Sequence, residues 1–124
     1  MQGIECRGKL KHNSPDRDGR WIYGFYVLTQ SGCHQIYQHN DIVKSIYPET
    51  VGLDTSRVDI KQQKIYGGDI VKDEHGNVGE VFWEEAMLAW RISYTLGYAW
   101  LAHETQLEVI GNIYDDPKLL KEGA

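Results

Sequence analysis

Alternation of large apolar and smaller or polar residues is clearest between positions 90 and 100. Trp90, Ile92, Tyr94, Leu96, Tyr98 and Trp100 alternate with Arg91, Ser93, Thr95, Gly97 and Ala99. A period of two over that length predicts a strand, or two strands kinked near Gly97, with the even positions on one buried face. Trp21 to Thr29 carries Trp21, Tyr23, Phe25 and Val27 on one face and Ile22, Tyr26 and Leu28 on the other, which predicts a strand covered on both sides. Thr29 to Gly32 reads as a turn, and Cys33 to Tyr37 as the returning arm of a hairpin. Ile70-Val71 begins a further strand, Asp73 to Asn77 is its hairpin loop, and Val78 to Trp83 returns. Val109, Ile110, Ile113 and Tyr114 mark a last strand, interrupted at Gly111-Asn112.

Between these runs lie the breaks. HNSPDRDGR, at 12–20, is a loop rich in turn formers. Asn40-Asp41 and Pro48 interrupt the middle, where Ile42, Val43, Ile46 and Tyr47 fit either a helical turn or an irregular strand. The polar stretch GLDTSRVDIKQQK, at 52–64, reads as a long connection between two lobes, 1–60 and 61–124. Near the end, Asp115-Asp116-Pro117 has the grammar of a helix start, since aspartate caps free amides and proline fits the first turn. A short C-terminal helix follows, with Leu119 or Leu120 packed on the edge of a barrel. The pattern as a whole is that of a mainly β (α+β) chain.

Composition narrows the function classes. A formal charge of −5 opposes binding to a phosphate backbone unless a basic patch overcomes it. The candidate patches are Arg7, Lys9 and Lys11, and Lys61 with Lys64, both read as solvated surface. Two cysteines, Cys6 and Cys33, without a secretory signal predict free thiols in a reducing compartment, hence a cytoplasmic protein. No run of about 18 apolar residues occurs that would span a membrane.

The most distinctive local stretch is IYGGDIV at 65–71. Gly67-Gly68-Asp69 resembles the core of nucleotide cyclases, but Ile-Val follows it, where such enzymes place an acidic and an aromatic residue. It is expected to be a structural turn, with glycine supplying a positive φ and Asp69 bonding local amides. His34, His39 and Asp41, with Cys33, offer metal-ligand chemistry without an established spacing, so no metal site is expected. Cys33 with His103, and Cys6 with His12, lack the setting of an activated nucleophile. Glu84 and Glu85 are adjacent and on a strand would point apart. No phosphate-cradling or dinucleotide glycine motif is present, so no catalytic residue and no cofactor are expected.

Five stretches together carry a resemblance: RGKL at 7–10, GRWIYGF at 19–25, YPETVG at 47–52, KIYGGDIV at 64–71 and EVIGNIYDDPKLL at 108–120. In order and spacing the chain resembles the YopX family of phage and prophage proteins. It departs from the family at GLDTSRVDIKQQ, which replaces a stretch like QYTGLKDKNG, and at Gly67, where the family commonly has an acidic residue. The resemblance implies a small antiparallel β lobe followed by an SH3-like β-barrel, and origin in a mobile element within a bacterial host cell. It transfers no activity residue by residue.

Two expectations follow. One is a non-enzymatic protein-binding or assembly module, acting on a host or phage protein or as a homo-oligomer through its edge strands. The other is a small-barrel nucleic-acid binder in phage DNA or RNA metabolism, stacking bases on Tyr94, Tyr98 or Trp100 beside Arg91.

Overall fold

A computed structural model of the chain describes residues 5–10, 21–38 and 43–122, with backbone alone at 43–45 and at 122. The described residues form two compact units, divided between Asp54 and Thr55.

In the first unit β1 (Cys6–Leu10), β2 (Trp21–Leu28), β3 (His34–Tyr37) and the start of β4 (Val43–Val58) pair antiparallel in that order, and β4 also pairs with β1. Cys6, Leu10, Ile22, Ile36 and Ile46 make the core, with Val51 packed against it. The hairpin between β2 and β3 is closed by Thr29, whose N–H donates to the Cys33 carbonyl at 2.9 Å and whose hydroxyl accepts from Cys33 N–H at 3.0 Å. At Gly24 a Cβ would sit 2.1 Å from the Tyr37 carbonyl oxygen, so only glycine lets β2 approach β3 there. The strand is not covered on both sides as its residues suggested. Tyr23 and Phe25 are 46% and 47% exposed, because the apolar interior lies on the Ile22 and Gly24 face.

The middle of the chain also departs from expectation. Pro48 does not end the strand, and 52–64 is not a long connection: β4 runs to Val58, turns through 59–63 and returns as β5 (Lys64–Tyr66). Pro48 is accommodated because residues 48–51 of β4 stand opposite the single Gly8, an irregularity where no ladder bond is required of it. The Thr50 hydroxyl bridges that gap, accepting from Lys9 N–H at 2.8 Å and donating to the Tyr47 carbonyl at 2.6 Å.

The second unit is built on an antiparallel sheet of β6 (Asp69–Lys72), β7 (Val78–Glu84), β8 (Ala89–Tyr94), β9 (Gly97–Trp100) and β10 (Glu108–Asn112), in the order β10-β6-β7-β8-β9. β9 and β10 are separate edges, so these strands close no barrel. A one-turn 3₁₀ helix, Leu101–His103, precedes β10. Ile65, Val71, Val81, Ile92, Leu101 and Leu107 form the core on one sheet face. The C-terminal helix α1 (Lys118–Glu122) is present, and Leu119 reaches β10, where a Cβ on Gly111 would lie 2.9 Å from its Cδ1. Asp116 does not cap α1 with its side chain. Its carboxylate turns back to accept from Asn112 N–H at 3.3 Å.

Asp59 ties the β4–β5 turn to β10. It is 4% exposed, and its carboxylate accepts from the N–H groups of Lys61 and Gln63, each at 2.9 Å, and of Val109 at 3.0 Å. Burial pushes this carboxyl up, but the amides of Val109, Gln63 and Lys61, with the Lys61 charge, outweigh it and hold the pKa below the usual value.

Candidate functional site

The hairpin of β8 and β9 decides what the aromatic stripe presents. Arg91 stands opposite Trp100, Ile92 opposite Ala99, Ser93 opposite Tyr98 and Tyr94 opposite Gly97. Opposed residues of an antiparallel pair share a face. With only Thr95 and Leu96 between the strands, an even position on β8 therefore shares its face with an odd position on β9. The even-numbered stripe is split: Trp90, Ile92 and Tyr94 join the core, whereas Tyr98 and Trp100 lie on the opposite face. Leu96, at the tip, is 99% exposed. The single buried face expected over 90–100 is thus corrected to a stripe divided between the core face and the outer face, because the turn inverts the parity.

Three of the four residues expected to form a binding surface are brought together on that outer face. The Arg91 guanidinium lies 4.4 Å from the Trp100 ring centre and 5.1 Å from that of Tyr98. Phe82, opposite Arg91 on β7, meets Tyr98 edge to face at 5.9 Å. Arg91 Nη1 donates to Glu84 Oε1 at 2.7 Å, so the cation is clamped between a carboxylate and two rings. A cation held against a ring at a partly exposed site is worth about 0.5–1 kcal/mol, enough to order the guanidinium but not to hide the patch. Tyr98 stays 64% exposed. Glu80 shares this face beside Ser93, and burial pushes its carboxyl up. A cleft of about 420 Å³ at the hairpin tip is lined by Asn77, Val78 and residues 94–98. This outer face offers flat aromatic surface with an ordered, already neutralised arginine, suited to recognising apolar or aromatic groups beside hydrogen-bond partners.

The fourth residue, Tyr94, is not part of it. It packs against the core, and its hydroxyl donates to Glu104 Oε1 at 3.2 Å. Burial first, then the charges of Glu104 and Asp73 and that hydrogen bond, push its pKa far up. Phe82 belongs to the surface although the alternation of 90–100 could not reveal it. Its only sequence signal is parity within Val78–Trp83.

Gly67 and Gly68 form the turn between β5 and β6, and Gly68 has φ +92°. Gly68 N–H donates to the Val81 carbonyl at 2.9 Å, its own carbonyl accepts from Ile113 N–H at 2.9 Å, and Asp69 Oδ2 accepts from Tyr66 N–H at 2.7 Å. With Asp69 1% exposed, the stretch is bound into the fold.

The remaining candidates separate. Arg7 is not solvated surface: it is 6% exposed and its guanidinium lies 4.7 Å from the Trp21 ring centre, which takes it out of any basic patch. Lys61 pairs with Glu108 at 2.8 Å. The His34 ring stacks on Tyr26, whose hydroxyl meets its Nδ1, while His39 and Asp41 lie outside the described residues. Among the described residues no three His, Cys, Asp or Glu side chains gather as metal ligands. Cys6 is buried and Cys33 exposed, both free thiols; Cys33 belongs to the first unit and His103 to the second, and His12 is outside the described residues. Glu84 is engaged by Arg91, and Glu85 separately accepts from Trp83 Nε1 at 2.7 Å. No described helix is long and apolar enough to cross a membrane.

No curated protein matches the chain. The family model described as YopX protein matches residues 14–121, and on that coverage the chain belongs to the YopX family.

Proposed function

We propose that the chain is a non-enzymatic protein-binding or assembly module of a phage or prophage, working in the cytoplasm of the bacterial host, and that the outer face of β7, β8 and β9 is its recognition surface. The observation that carries this is the cluster of exposed Tyr98 and half-buried Phe82 and Trp100 around Arg91, ordered by Glu84. Aromatic residues and arginine are the side chains most enriched at the energetic centres of protein interfaces. An SH3-like reading of the second unit draws support from its strand order, with the last strand beside the first, and from the 3₁₀ turn before that last strand. Family membership fits a phage-type protein.

A nucleic-acid role is weaker on this surface. Arg91 is already paired with Glu84, Glu80 lies on the same face, and the net charge is −5. The test is a photo-crosslinking residue in place of Phe82, in the full chain expressed in bacteria carrying the element. A discrete protein adduct, identified by mass spectrometry and lost on Trp100→Ala, is the expected result. Absence of any protein adduct, with salt-sensitive retention of single-stranded oligonucleotides, would replace this reading by the nucleic-acid one.

A further inference from the structure

The two edges of the second sheet are treated differently. β10 is closed off along its free side: Ile60 N–H donates to the Leu107 carbonyl at 2.9 Å, and Val109 N–H to Asp59 Oδ2 at 3.0 Å. A register shift between Val109 and Gly111 and the side chains of Asp116 and Leu119 guard it further. These are the devices by which native sheets prevent edge pairing.

β9 has none of them. From Ile92 to Ala102 the chain contains no charged residue and no proline, and the β8–β9 register runs without a bulge. Its backbone phase follows from the hairpin. Tyr94 and Gly97 enclose two residues, so they are a hydrogen-bonded pair, and so by alternation are Ile92 and Ala99. The N–H and C=O groups of Tyr98 and Trp100 therefore point away from β8, along the open edge.

We infer that β9 pairs antiparallel with β9 of a second copy of this chain, about a two-fold axis at Ala99, joining the two sheets edge to edge. That axis sets Tyr98 opposite Trp100 of the second copy, and the reverse, so each pair can exchange two backbone hydrogen bonds. It also extends the aromatic row of each outer face with the other's ring, a favourable cross-strand pairing. The edge is self-complementary in charge because it carries none, and the nearby Arg91 is neutralised within its own copy. A foreign strand would have to match this sequence, whereas a second copy matches it by symmetry. With four residues in β9 the interface is small, and the dimer is weak and concentration-dependent. The inference rests on the assembly reading above and names its partner.

Sedimentation velocity of the full chain, from micromolar to near-millimolar concentration, tests it together with amide hydrogen exchange at both ends of that range. A rising dimer fraction is expected, with the Tyr98 and Trp100 amides protected only at high concentration and the Gly97 and Ala99 amides protected throughout. Tyr98→Pro, which removes an outward N–H that an edge strand can lose, should leave a folded monomer. Leu96→Ser, at the exposed tip and outside the ladder, should leave the dimer intact. A chain that stays monomeric throughout overturns the inference while leaving the crosslinking result with another protein unaffected. A dimer abolished by Leu96→Ser, or one with no concentration-dependent protection of Tyr98 and Trp100, overturns it as well.

Discussion

Asp59→Ala removes one acceptor group that serves three donors from two distant parts of the second unit. The Val109 N–H is left at a covered sheet edge, and an unsatisfied buried donor costs about 1–3 kcal/mol. The Lys61 and Gln63 amides lie in an exposed turn and can return to water, losing the net worth of one hydrogen bond each, about 0.5–1.5 kcal/mol. Together these come to about 4 kcal/mol, on the order of a 15–30 °C fall in Tm for a unit of this size. Asp59→Asn keeps the size and one oxygen, so its loss should be smaller. Urea and thermal unfolding followed by tryptophan fluorescence would measure it, since Trp83, Trp90 and Trp100 all report on the second unit. The pH dependence has a definite sign. The folded pKa lies below the unfolded one, so the stabilisation is complete above about pH 4 and is lost as pH falls through the folded value. The advantage of wild type over Asp59→Asn should therefore shrink below about pH 4. An Asp59→Ala protein within about 1 kcal/mol of wild type would refute the reasoning, as would an advantage over Asn that is flat with pH.

Gly68→Val places a β-branched residue at φ +92° and should lower stability by about 1–3 kcal/mol in thermal melts. A variant with unchanged Tm and lost partner binding would make that turn a binding loop after all. Gly24→Ala drives a Cβ to 2.1 Å from a backbone oxygen, while at Gly8 the nearest obstacle is the movable Ile46 side chain at 2.9 Å. Gly24→Ala should thus be the more damaging of the two, by about 1 kcal/mol or more in urea midpoint comparisons. Native Cys33 should react with a thiol reagent at once, and Cys6 only on unfolding, because loss of water on burial and the neighbouring Glu5 charge raise its pKa to about 11 against a weaker opposing hydrogen bond from the Tyr26 backbone. Two equally fast thiols in the folded protein would contradict the buried position of Cys6.

Local chemistry was enough for the hairpins and turns. Asp73 to Asn77 loops as read, with Asp73 Oδ1 accepting from His75 and Asn77 N–H, and the double glycine turns where its positive φ is needed. β4 and the turn after it were hidden because their polar residues suit the inside of this fold: Thr55 in the strand is buried with its hydroxyl on the Ile65 carbonyl, and Asp59 in the turn is buried with three amides. A hydropathy pattern counts such residues as solvent-facing. Only their distant hydrogen-bond partners make them interior.

Sequence by itself determined that the chain is mainly β, where most strands begin and end, and which family it belongs to, since alternation, turn residues and motif order are all local or linear properties. Tertiary structure alone decided which aromatics are core and which are surface. Tyr94 and Tyr98 occupy equivalent places in the alternation, yet a two-residue turn sends them to opposite faces, because face is set by pairing across strands and not by parity along one. The same pairing put Phe82 beside Arg91 and left β9 as the open edge.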